Sequence, residues 1–102
     1  AAITDVITYA KGLSSCQQSA SAFMGGSPDE RPDVFEEVQP ANYGVDPDTV
    51  LLYGAFDQIV SSSQAILSGA RSVRHEFAGH FDWIHPGTDA FRMILAVLLK
   101  DL

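Results

Sequence analysis

Asp46–Ile84 reads DPDTVLLYGAFDQIVSSSQAILSGARSVRHEFAGHFDWI. Within it, apolar or small residues return at alternating steps of four and three. They are Leu52, Phe56, Ile59, Ser63, Ile66, Ala70, Val73 and Phe77, then His80 or Phe81, then Ile84. That rhythm is the seam of a helix packed as in a coiled coil. Asp46-Pro47-Asp48-Thr49 supplies a matching start: a capping acid, a proline in the first turn, and a second acid at the positive end of the helix dipole. The spacing therefore predicts one long helix over 48–84, kinked or ended at Gly79 and stopped by Pro86-Gly87. A neighbouring stripe of small residues (Ala55, Ser62, Ala65, Gly69, Ser72) would let a second helix approach closely.

On the carboxyl side, Phe91, Ile94, Leu95, Leu98 and Leu99 form the apolar face of a helix over about 88–100. On the amino side, Ile3, Val6, Ile7, Ala10, Leu13, Gln17, Ala20, Phe23 and Met24 predict a helix over about 3–24. Thr4 stands at its start and Gly25-Gly26 form a left-handed stop. Residues 27–47 form a link between the two. Ser27–Asp48 holds seven of the thirteen acids, one base (Arg31) and four of the five prolines. Within it, Pro32–Val38 carries a short helical turn anchored by Val34, Phe35 and Val38. No stretch alternates apolar and polar residues between Asn-Gly or Asp-Gly turns, the usual mark of β-hairpins. The expectation is an all-α single domain over 1–102 with three main helices. Reversal at Pro86-Gly87 would gather Phe77, Phe81, Trp83 and Phe91 into an aromatic cluster.

Composition narrows the functions. With 102 residues the chain can close one core but has no room for a TIM barrel or a full dinucleotide-binding fold. A net charge of −7 argues against nucleic acid as a partner. No apolar run reaches the roughly 18–20 residues of a membrane span, the longest being Met93–Leu99. One cysteine, Cys16, cannot form an internal disulfide. Ala1-Ala2 is what Met removal or cleavage of a leader leaves.

The candidates for chemistry crowd into one place. All three histidines lie in Arg74–His85, beside two carboxylates: His75, Glu76, His80, Asp82 and His85. On a helix, Glu76 and His80 stand at i and i+4, the spacing at which metal ligands converge. His75 and His80, five apart, fall on different sides of that helix, and no second carboxylate–His helix is present to complete a di-iron site. The set is a candidate metal site, while the plainer reading pairs Glu76 with His80 within the helix. No Gly-x-Ser-x-Gly elbow occurs, and Cys16 has no basic neighbour except Lys11. The expectation is accordingly a protein that is not an enzyme and needs no cofactor.

Val45-Asp46-Pro47-Asp48, Trp83 with Gly87, Ala90-Phe91 and Tyr53-x-x-x-Asp57 together resemble motifs of the type VII secretion-associated helical-hairpin proteins, the small Trp-x-Gly family and its relatives. The resemblance spans Val45–Phe91. Three residues separate Trp83 from Gly87 where that family has one, and the tyrosine motif precedes the corner instead of following the hairpin. It implies a secreted or assembly-associated, non-catalytic partner in a homo- or hetero-oligomer; otherwise the chain is expected in the cytoplasm. A helix over 48–84 would reach about 55 Å at 1.5 Å per residue. Its exposed length would meet another protein chain through Leu52, Phe56, Ile59, Ile66, Val73, Phe77 and Trp83. Two alternatives stand beside this: a structural subunit of a virion or other large assembly, and a small metal-dependent helical enzyme.

Overall fold

A computed structural model describes residues 2–100. The expectation about Ala1 lies outside them. The fold is mixed α/β, not all-α. In chain order it has α1 (Val6–Ala10), α2 (Ser15–Met24), α3 (Pro32–Val38), β1 (Val50–Gly54), β2 (Arg71–His75) and α4 (Asp89–Leu98), with short 3-10 turns between them. Backbone contacts divide the chain into two compact units, Ile3–Gly44 and the part from Val45 onward.

In the first unit the helix expected over 3–24 is two helices. Lys11-Gly12-Leu13 interrupts it, and Ser14 starts a new helix with a reciprocal cap: its hydroxyl accepts from the Gln17 N–H while Gln17 Oε1 accepts from the Ser14 N–H. Two caps nine residues apart, at Asp5 and Ser14, outweigh a continuous apolar rhythm. Asp5, rather than Thr4, caps α1 by accepting from the Thr8 N–H at 3.0 Å. Gly25 ends α2 in the left-handed conformation, φ 81°. Pro32–Val38, expected as a turn, is α3, and its Phe35 is fully buried.

The long helix over 48–84 does not exist. Asp46 makes a turn, its carboxylate accepting from the Asp48 N–H at 2.8 Å, and the chain then enters β1. β1 and β2 pair in parallel, with Val50 opposite Arg71 and Gly54 opposite His75. Three local forces defeat the helical reading. Val50-Leu51-Leu52-Tyr53 suits a pleated strand as well as a helix face, and periodicity cannot separate the two in so short an apolar run. Asp57 and the Ser61–Ser63 group bend the chain by side-chain bonds to backbone N–H groups. Gly69, at φ +89°, takes a left-handed turn that a helix cannot contain. Absence of hairpin turns is no argument against parallel strands, which are joined by crossovers.

Residues expected at the seam therefore part company. Trp83, 4% exposed, packs with Ala78 and Ala90 under Leu52, Met93 and Ile94. Phe56, Ile66 and Phe77 are exposed, and Ile59 and Val73 half-buried. The expected aromatic cluster does not form: Trp83 enters the core, Phe77 and Phe81 face outward, and Phe91 is half-buried. No helix among the described residues is long and apolar enough to cross a membrane.

Candidate functional site

β1 and β2 end side by side, and each is followed within five residues by a group able to move protons. Asp57 follows β1 and His80 follows β2. Their loops are stitched together by backbone bonds: the Ala55 N–H donates to the His75 carbonyl at 2.9 Å, and the Phe56 N–H to the Ala78 carbonyl at 3.0 Å. Gly54 makes this closeness possible, because a methyl group there would land on the Ala78 carbonyl.

The Asp57 side chain is 1% exposed, and both oxygens are occupied. Oδ1 accepts from the N–H groups of Ile59 at 2.9 Å and Val60 at 2.8 Å. Oδ2 stands 3.1 Å from His80 Nδ1. Burial pushes the Asp57 pKa up, but the Val60 and Ile59 N–H groups and His80 together hold it below the usual carboxylate value. An ionised carboxylate only accepts, so His80 Nδ1 carries the proton and donates. In the neutral ring that leaves Nε2 as a free base. His80 is about four-fifths buried, with the Phe81 ring edge-on at 4.8 Å.

The remaining loop is held by its own side chains. Asp82 Oδ2 accepts from the Gly79 N–H at 2.8 Å, and the Thr88 hydroxyl bonds the carbonyls of Asp82 and His85. This accounts for Asp82 of the expected donor set. His75 lies in β2 with Nδ1 accepting from the Phe77 N–H and its ring edge-on to Trp83. Glu76 is exposed, and His85 accepts from the Gly87 N–H. Among the described residues no three His, Cys, Asp or Glu side chains gather as a metal site would require. Without a helix through 75–85, Glu76 and His80 no longer stand one above the other.

Asp57, read from the sequence only within the Tyr53-x-x-x-Asp57 motif, is the site residue that sequence reasoning missed, because mid-helix it had no partner. The available signal was a paired one: Gly54-x-x-Asp57 and Gly79-His80, each just past a short strand-like run. No family model, curated protein or solved structure matches this sequence.

Proposed function

We propose that this chain carries the orienting acid and the general base of an acyl-transfer hydrolase. The observation behind this reading is the 3.1 Å contact between the buried Asp57 carboxylate and His80 Nδ1, at the carboxyl ends of adjacent parallel strands. Asp57 fixes the tautomer and stabilises the imidazolium that forms in the transition state. His80 Nε2 takes the proton of an attacking water as that oxygen bonds to the carbonyl carbon of an ester. The carbon–oxygen bond to the leaving alcohol then breaks, and His80 returns the proton to the alkoxide. Acid before histidine, each after a parallel strand, is the chain order of α/β-hydrolase-type sheets, whose nucleophile comes earlier on a strand-to-helix elbow. This is an analogy of arrangement.

No serine of this chain sits in a Gly-x-Ser-x-Gly elbow, and among the described residues no Ser or Cys side chain hydrogen-bonds to His80. The reading therefore takes water as the attacking group. Two parallel strands are too few to be stable by themselves, and parallel sheets are ordinarily covered on both faces. Another protein chain stays the proposed partner, a reading supported by the exposed Ile66, Ile84 and Leu98. The long apolar seam that first suggested a non-catalytic helical module is gone.

The test is hydrolysis of p-nitrophenyl acetate by the purified protein. Loss of about a hundredfold or more on His80→Ala is expected for a general base. Esterase activity unchanged by His80→Ala would remove the proposal.

A further inference from the structure

We infer that the site takes esters whose acyl group is uncharged and apolar, aromatic above all, an inference that rests on the hydrolase reading. Phe81 lies on the His80 ring, Phe56 next to Asp57 in the chain meets Phe77, and none of the three is spent on the core. Phe56 is 62% exposed, Phe77 68% and Phe81 60%. Phe56 adjoins Asp57 in the chain and meets Phe77 edge-to-face at 6.0 Å. Phe81 adjoins His80 and lies against its ring.

The backbone at Phe56 and Phe77 is held in place. The Phe56 N–H bonds across to Ala78, and the Phe77 N–H to the His75 ring. Their exposure is therefore a property of two stitched loops. Surfaces with aromatic side chains beside a convergent polar group are what apolar ligands use.

Charge excludes the main competitor. Residues 55–60 and 76–85, which make up the two loops, contain Asp57, Glu76 and Asp82 and neither lysine nor arginine. An acyl group ending in carboxylate or phosphate would meet these acids, while the nearest arginine in the chain, Arg74, stands in β2 outside the loops. Burying such a charge unpaired is costly, so selection against it follows from the loops themselves.

Three p-nitrophenyl esters decide this: acetate, benzoate and hemisuccinate. The expected order of kcat/KM, after correction for intrinsic reactivity, is benzoate over acetate over hemisuccinate. Phe81→Ala is expected to cut the benzoate-to-acetate ratio by about tenfold, the size of effect an apolar contact gives, while Phe81→Leu restores part of it. Circular dichroism of both variants should match the parent, because the ring is exposed. His80-dependent hydrolysis with no acyl preference, or with preference for hemisuccinate, overturns this inference and leaves the hydrolase reading standing. Absence of His80-dependent hydrolysis of all three overturns both.

Discussion

At the scale of single residues, Asp57 has the most to lose. Its carboxylate satisfies two backbone N–H groups and orients His80 while almost fully shielded from water. Asp57→Ala would strand those donors and cost about 1–3 kcal/mol, measurable by denaturant titration. The acid limb of stability carries the same signature. A carboxyl group whose folded pKa lies below its unfolded value of about 3.9 contributes in full above that value. Its contribution is lost as pH falls through the folded pKa. Asp57→Asn should therefore flatten the stability–pH curve below about pH 4 relative to the parent, read from unfolding midpoints across the acid range. It should also shift His80 away from the Nδ1–H tautomer, visible in imidazole nitrogen NMR shifts. Asparagine presents a neutral amide that no longer enforces one tautomer.

Among elements, two joints decide whether the strands and helices hold their places. Gly54 closes β1 against the loop after β2, and Gly54→Ala would drive the Ala78 backbone outward. Because Phe56 and Ala78 share a hydrogen bond there, the expected result is a lengthened Asp57–His80 contact and a stability loss of about 1–3 kcal/mol, as for overpacking elsewhere. Calorimetry and the His80 NMR signals together would register both. The second joint is Gln39, buried just past α3. Its Oε1 accepts from the Val6 N–H at 2.6 Å, and its Nε2 donates to Asp5 Oδ1 at 2.9 Å. Gln39→Ala would leave the first turn of α1 unsatisfied, so hydrogen exchange of the Val6 and Thr8 amides should accelerate ahead of global unfolding.

For the molecule as a whole, Trp83 is the largest side chain in the core formed from Val45 onward. Trp83→Ala is expected to cost about 3–5 kcal/mol, much of the 5–15 kcal/mol available to a domain. Its ring nitrogen has no hydrogen-bond partner, so Trp83→Phe removes an unsatisfied donor with the lost volume and should cost clearly less. Thermal midpoints of the two variants against the parent check the order. How much of this was legible beforehand differs from residue to residue. Capping chemistry is local, so Pro32 opening α3, Gly25 closing α2 and Thr88 opening α4 could be read directly from the chain. The acidity of Ser27–Asp48 and the crowding of histidines into Arg74–His85 were likewise plain. The parallel pairing was not, because β1 and β2 gain their hydrogen bonds from residues about twenty positions away. A four-and-three apolar rhythm over short runs fits a helix until such a partner is present. The site followed the same rule: His80 stood out by composition, but its base character depends on Asp57, 23 residues earlier, which only the sheet register brings within 3.1 Å.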